Sequence, residues 1–386
     1  MPTAASPHRL RVLHFGRFHD EGAPGGIERH VATLLRGLSQ HVDVTNLVAA
    51  PGRQGDVLRA DGYPVHRVPS YGVMASTALA PALITEARRL HRAQGFDILH
   101  LHFPDPLSHL AALALPHSIP RVVSWHSDVV RQRRLLTLYR PFLSHFMRKV
   151  DAVITATPAH FTYSTQLSTV PPVRRHVIPY GLDYDPYDAT DLPGRAAALR
   201  QAHCGDAPLV LAVGRHVHYK GFEFLLRALV DLPGVFLVLG GNGPLTGELQ
   251  ALAASLGIAQ RVHFPGCVPD RELAAWYAAC DVFCLPSITV AEAFGLVQLE
   301  AMACGKPVVS CRLGTGVDFV NEDGVTGLCV PPGDSGALTR ALGRLLADAT
   351  LRTTLGAQGR QRARTKFSPT AMVAGTLALY HCLAAA

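Results

Sequence analysis

Two glutamates eight residues apart, Glu292 and Glu300, bracket a predicted helix start and are the residues best suited to hold a large polar ligand. Glu292 falls in a loop and Glu300 lies more than one turn inside the helix, so the pair cannot share one proton or one metal ion at close range. They must reach different parts of a long ligand. Gly295 marks the helix start, where the lack of a side chain lets a ligand approach the backbone, and Gly305 and Pro307 are its stop signals. The N–H groups of Phe294, Gly295 and Leu296 are then expected to face an anion. A sugar at the loop, a diphosphate at the helix N-terminus and a ribose diol further along fit that spread.

A second candidate pair lies upstream. Val213-Gly214-Arg215 closes a strand and Lys220-Gly221-Phe222 opens a helix, so Arg215 and Lys220 share one loop. A lysine at a helix N-terminus opposes the macrodipole, and an external anion is a natural reason for one there. The chain uses four lysines against 32 arginines, which makes the choice of lysine at 220 more informative. His126 follows an apolar strand and is expected at the carboxyl edge of a sheet. Gly25 and Gly26 form a loop that enters a helix.

These residues must be carried by two series of alternating strands and helices. Strands are predicted at 9–15, 42–50, 97–102, 121–125, 151–156 and 176–179, with helices at 27–38 and 82–94. The acidic, Pro- and Gly-bearing stretch from 181 carries no periodicity and reads as a linker, taken as 181–206. Strands follow at 209–213, 235–239, 262–264, 281–286, 308–310 and 327–330, with helices at 222–229, 245–256, 271–278 and 335–346. Alternation of this kind implies parallel sheets covered on both faces, an α/β class with ligands beyond the carboxyl ends of the strands. The domains expected are 1–180, 207–366 and a terminal helix at 367–386.

With 386 residues and 48% hydrophobic composition the chain can bury two cores. It holds no run of about 18 apolar residues, and its start lacks a charged region followed by an apolar core, so the cytoplasm is the expected location. The eight cysteines all lie from Cys204 onward at spacings that fit no zinc or disulfide framework, and they read as reduced core thiols. No metal site is expected. Residues 1–180 hold 20 Lys and Arg against 11 Asp and Glu, whereas 181–386 hold 16 against 18. The basic half faces something anionic. No recognition motif or basic run with interleaved aromatics supports nucleic acid, so an anionic membrane surface at the inner face of the plasma membrane, or a lipid-linked acceptor, suits it better. The basic and apolar stretch 131–149, broken at Pro141, has the composition of an interfacial segment or of a helix packed on the first domain.

The setting of the two glutamates, Glu292-Ala-Phe-Gly-Leu-Val-Gln-Leu-Glu300 followed by Ala-x-Gly-x-Pro-Val-Val, resembles the large family of retaining glycosyltransferases with the two-domain GT-B fold, family 4. The resemblance implies two Rossmann-like domains facing a cleft, with the final helix crossing back to the first. It implies Glu300 on the ribose, Glu292 on the transferred sugar, and Arg215 and Lys220 on the departing diphosphate, with no metal required. His126 is implied to hydrogen-bond the donor sugar, and the loop at Gly25 and Gly26 to approach donor phosphate and acceptor. The run through Leu313-Gly-Thr-Gly-Val-Asp is similar to bacterial polysaccharide mannosyltransferases that use GDP-mannose; UDP-sugars are the other option, and the acceptor is a glycan or lipid-linked glycan. A nucleotide-sugar epimerase of the same fold and a silent nucleotide-sugar-binding protein are the two rival readings.

Overall fold

A computed structural model describes residues 9–18, 26–74, 77–128 and 133–385. The chain divides into two compact units, 1–181 with 369–386, and 182–368. Gly25, expected in a ligand loop, and Arg131 lie outside the described residues.

In chain order the first unit contains β1 (Arg11–Phe18), β2 (Asp43–Ala49), β3 (Asp56–Ala60), β4 (Tyr63–Val68), β5 (Val73–Met74), β6 (Thr77–Ala78), β7 (Ile98–Phe103), β8 (Arg121–Trp125), β9 (Ala152–Thr155) and β10 (Arg175–Val177). Its main sheet has the order β10-β9-β8-β7-β1-β2-β4-β3, parallel except for the edge strand β3, while β5 and β6 form a separate hairpin. The inner strands β2, β7, β8 and β9 are buried on both faces, and alternation sorts their side chains between two cores. Leu13, Phe15, Leu99, Leu101, Phe103, Val123 and Trp125 face Leu83, Ala87 and Leu90 of the helix Ala82–Gln94. Val12, Ile98, Val122 and Ile154 face the other way, onto the helices Gly26–Leu38 and Pro369–Ala384. Val31, Leu34, Leu35 and Leu38 recur at helical spacing on the first of these. Gly37 lets the two helices meet: a Cβ there would stand 2.4 Å from Val373 Cγ2.

The stretch 131–149 contains the helix Arg133–Arg148, with Pro141 inside it. Leu143, Phe146 and Met147 are buried in the first core, and the Tyr139 hydroxyl bonds His109. Packing therefore accounts for the apolar part of its second half, while Arg140 and Arg148 are exposed.

The second unit continues with β11 (Leu209–Val213), β12 (Phe236–Gly240), β13 (Val262–His263), β14 (Val282–Leu285), β15 (Val308–Cys311) and β16 (Gly327–Val330), all parallel in the order β13-β12-β11-β14-β15-β16. The chain order reverses between β11 and β14, which makes that junction the topological switch point; the equivalent junction in the first sheet lies between β1 and β7.

Two expectations differ. Residues 182–206 are not a linker but part of the second unit, in helices Asp185–Asp188 and Leu192–His203. Leu192 packs with Ala274 and Ala275 of the helix Asp270–Ala279, with Leu199 against them and Ala196 also buried, an apolar edge hidden behind the acidic, Pro- and Gly-bearing start of the segment. The helix Ala349–Lys366 was not foreseen, because its buried face consists of Leu355, Gly356, Gly359 and Ala363. Small residues there let backbones touch: a Cβ on Gly356 would be 2.0 Å from the Gly305 carbonyl oxygen.

Candidate functional site

Three strand ends beside the switch point of the second sheet bring the polar residues together. After β11 the chain forms a short turn, His218–Lys220, and reaches Gly221 with φ 64°. A Cβ on Gly221 would stand 2.2 Å from the Pro286 carbonyl oxygen, so glycine is what lets this loop lie against the one that follows β14. The Ile288 N–H donates to the Tyr219 carbonyl at 2.9 Å and fixes the two loops together. That contact delivers Lys220 to Glu292.

The Lys220 Nζ lies 2.5 Å from Glu292 Oε2, with both side chains buried. The Ser287 hydroxyl donates to the same carboxylate oxygen at 2.8 Å. From the end of β15, the Thr315 hydroxyl donates to the Glu292 backbone carbonyl at 2.8 Å, and the Gly316 N–H to that of Ala293 at 2.9 Å. Burial by itself would lower the Lys220 ammonium; the Glu292 carboxylate outweighs it and holds the lysine above its ordinary value, charged. The lysine thus has an internal anion, a partner that local sequence did not reveal.

Gly295 adopts the left-handed conformation, φ 73° and ψ 60°, at the N-cap of the helix Leu296–Ala303. A Cβ there would meet Leu285 Cδ2 at 2.7 Å and Gln298 Nε2 at 2.8 Å. The helix begins where it was expected. Phe294 is buried edge-on against Phe367, so it can meet a ligand only through its backbone. Leu296 opens the helix and Glu300 is buried within it. Burial and, after it, the nearby Glu300 carboxylate push the Tyr277 hydroxyl well up.

Arg215 is exposed on the loop that leads to Lys220, and its carbonyl accepts from the Val217 N–H at 2.9 Å. The next residue ties that loop to the end of β12: the His216 N–H donates to the Asn242 carbonyl, and His216 Nδ1 lies 2.9 Å from the Thr246 hydroxyl. Gly241 and Gly243 make the approach possible, since their Cβ atoms would stand 2.0 Å from the Gly214 and 2.5 Å from the His216 carbonyl oxygens. The run Gly240-Gly241-Asn242-Gly243 at a strand end was the sequence signal for this support, and it was missed.

In the first unit His126 does follow the carboxyl end of β8, as expected, but its ring is buried and both nitrogens have partners. Its Nε2 lies 3.0 Å from His102 Nδ1 and its Nδ1 2.6 Å from the Tyr180 hydroxyl. A hydrogen bond from this ring to a sugar therefore requires exchange of one of those partners. Burial first, then His30 and His160, pull its pKa well below the ordinary histidine value, so the ring is neutral. Gly26 opens the helix Gly26–Leu38 and is exposed. Cys280, Cys284, Cys311 and Cys329 are buried free thiols whose pKa values burial raises, which keeps them protonated.

Comparison with known proteins agrees with this architecture. Residues 24–186 match the family described as Glycosyltransferase Family 4, and residues 200–362 match Glycosyl transferases group 1. The chain is 36% identical over 343 residues to the D-rhamnosyltransferase WbpZ of Pseudomonas aeruginosa, covering 86% of each protein. It is 32% identical over 354 residues to a GDP-mannose-dependent alpha-(1-6)-phosphatidylinositol monomannoside mannosyltransferase of Mycolicibacterium smegmatis, covering 87% of this chain and 89% of that one. Among solved structures, sucrose-phosphate synthase from Thermosynechococcus elongatus superimposes with a TM-score of 0.81 at 25% identity, over 98% of this chain and 100% of that one. Two Rossmann-like units with parallel sheets, together with similarity of this extent, establish that the chain belongs to the group 1 glycosyltransferases of family 4, enzymes of the GT-B fold.

Proposed function

We propose that the enzyme moves a hexose, mannose from GDP-mannose, to a glycan or lipid-linked glycan acceptor with retention of anomeric configuration. The observation that carries this reading is the buried Lys220, Glu292 and Ser287 cluster at the switch point of the second sheet, beside the N-terminus of the helix Leu296–Ala303. A charged lysine held by a carboxylate there can neutralise the diphosphate as it departs, with Arg215 approaching from the exposed side of the same loop. The helix N-terminus at 294–296 adds its partial positive charge. These groups supply the field that a divalent ion otherwise provides, and transfer proceeds without one. Glu300 accepts hydrogen bonds from the ribose hydroxyls and Glu292 from the transferred sugar.

In this reading the bond from C1 to the phosphate oxygen breaks and the bond from C1 to the acceptor oxygen forms on the same face. The acceptor proton passes to the departing phosphate oxygen. His126 takes part on the sugar side by exchanging the Tyr180 hydroxyl for a sugar hydroxyl. Mannose is favoured by the GDP-mannose-dependent relative, and rhamnose, the sugar named for the other relative, is the competing donor sugar. The acceptor is presented at an anionic membrane surface, a reading that the excess of basic residues in 1–180 supports; no helix among the described residues is long and apolar enough to cross a membrane.

The deciding experiment supplies GDP-mannose, GDP-rhamnose and UDP-glucose separately and follows the anomeric proton of the product by NMR. Transfer from GDP-mannose with the donor's own anomeric configuration is expected. An inverted product overturns the retaining mechanism, preference for another donor overturns the mannose assignment, and an epimerised donor without acceptor overturns transfer itself.

A further inference from the structure

One face of the first sheet carries imidazoles where an apolar layer is expected. His14 on β1, His100 and His102 on β7, and His126 after β8 all project toward the helices Gly26–Leu38 and Pro369–Ala384, among Val12, Ile98 and Val122. The opposite face of the same strands is lined by Leu13, Phe15, Leu99, Leu101, Phe103, Val123 and Trp125, with Arg121 at its edge bonded to backbone carbonyls. The four imidazoles are buried, a cost that only satisfied ring nitrogens can offset.

Both nitrogens of each ring are used, and they join in a single line. His100 Nε2 lies 2.8 Å from the Ser124 hydroxyl, and His100 Nδ1 lies 2.5 Å from the hydroxyl of Tyr380. That hydroxyl is 3.1 Å from His14 Nε2, and His14 Nδ1 is 3.4 Å from His102 Nε2. His102 Nδ1 then meets His126 Nε2 at 3.0 Å, and His126 Nδ1 meets the Tyr180 hydroxyl at 2.6 Å. His30 covers the end of the line, its ring 4.1 Å from that of Tyr180 and 5.3 Å from that of His126. The rings are strung in sequence and not gathered about a point, and among the described residues no group of three or more His, Cys, Asp or Glu is placed to hold a metal ion.

Proton counting constrains such a line. A neutral imidazole has one donor and one acceptor nitrogen, and a tyrosine hydroxyl has one proton. Each interior imidazole can therefore only accept on one side and donate on the other. The Tyr380 oxygen could accept from both neighbouring rings, but its own buried proton would then have no acceptor among the described residues, so the arrangements that strand no proton run in one direction. If Ser124 donates, His126 carries its proton on Nδ1 and donates to Tyr180. In the reverse order Tyr180 donates, and His126 carries its proton on Nε2. The mixed arrangement, in which both neighbouring rings donate to Tyr380, keeps the bonds of the line only by leaving the buried hydroxyl proton unpaired.

We propose that this line is a proton-ordered relay in which Ser124, His100, Tyr380, His14 and His102 act as positioning residues that set which nitrogen of His126 bears the proton. It passes beneath the switch point between β1 and β7, where ligands of such sheets bind, and it emerges at a strand end. It also draws the C-terminal helix into the site through one atom, the Tyr380 hydroxyl. The link from tautomer to turnover rests on the proposed role of His126 at the donor sugar; the ordering itself does not.

Histidine-labelled full-length enzyme observed by two-bond proton–nitrogen correlation NMR reads the tautomer of each ring. The unaltered protein is expected to show a single tautomer for His14, His100, His102 and His126. Ser124→Ala, remote from His126 along the line, and Tyr380→Phe, which removes its central hydroxyl, are each expected to give a mixture or a reversal at His126. In the same variants kcat should fall about tenfold, as for loss of an outer partner of a site residue, with KM for the sugar nucleotide unchanged. An unaltered His126 tautomer in folded Ser124→Ala and Tyr380→Phe overturns the relay. A changed tautomer with unchanged kcat overturns its catalytic part. Calorimetry with GDP on the unaltered enzyme separates the two proposals: lack of nucleotide binding defeats the functional reading and leaves the tautomer result standing.

Discussion

Lys220 and Glu292 are separated by 72 positions in the chain, yet they form one buried ion pair of 2.5 Å because β11 and β14 are neighbours in the sheet. Each loop leaves the carboxyl end of its strand, and the glycine at 221 lets them touch. Neither charge is stable in that position without the other.

Removal of one partner is therefore expected to cost more than removal of both. Lys220→Met leaves a buried carboxylate uncompensated and should lower unfolding stability by about 3 to 5 kcal/mol. Lys220→Met combined with Glu292→Gln should recover much of that loss while turnover stays lower by orders of magnitude. Urea titration of Lys220→Met, Glu292→Gln and the double variant checks the cycle; additive losses would show that the pair is not coupled.

Arg215 is exposed, so Arg215→Ala should change stability by no more than about 0.5 kcal/mol while turnover drops about a hundredfold. Activity of the parent enzyme should persist in excess chelator. Loss of activity in EDTA that Mg²⁺ or Mn²⁺ restores would show that the diphosphate charge is neutralised by a metal ion.

Glu300→Ala should weaken GDP binding by about 1.5 to 3 kcal/mol for each ribose hydrogen bond lost, since those bonds are charge-assisted. Titration calorimetry on the folded variant measures it. Affinity equal to that of the parent would remove Glu300 from the ribose.

Acid should destabilise the first unit selectively. His14, His30, His100, His102, His109 and His126 are buried neutral, their pKa values lowered chiefly by burial, to about 3 for His30 and His109. The unfolded chain takes up protons near pH 6.5 and the folded one does not, so stability is full above that pH and falls as pH drops through 6.5 toward 3. Each ring contributes a slope of up to about 1.4 kcal/mol per pH unit. Around these rings stand Tyr180, Tyr380, Ser124 and His160, with Tyr139 bonded to His109, and among the described residues no carboxylate is bonded to the line. Calorimetric scans from pH 7.5 to 5 should show a steep fall in Tm; a flat profile would mean that the rings charge without cost.

Membrane docking through the basic first unit should show as flotation with anionic vesicles that declines as salt is raised, at about 1 kcal/mol per well-placed basic residue. Arg133→Glu with Arg134→Glu should reduce it. Equal recovery on neutral and anionic vesicles would leave the helix Arg133–Arg148 as ordinary packing.

Short-range regularity was open to reading in the residues alone. Alternation at Leu13 and Phe15 or at Leu237 and Leu239, and glycine beside a helix at 295 and 305, are consequences of side-chain direction and backbone freedom within a few positions. So were the candidate charges: Lys220 stands just ahead of a helix, Glu292 in the loop after a strand and Glu300 in the helix that follows. The helix Leu192–His203 escaped notice behind its acidic, proline-bearing start, and the helix Ala349–Lys366 because glycine and alanine face its neighbour. What local pattern could not supply was partnership. His100 and His102 could be assigned to one face of β7, but their line to Tyr380 spans 280 positions, and its route depends on β1 and β8 lying on either side. The same holds for Lys220, whose anion is a carboxylate of this chain. Bond geometry dictates which way each side chain points, whereas strand order dictates what it meets, and strand order follows from how the two faces of each sheet find cover.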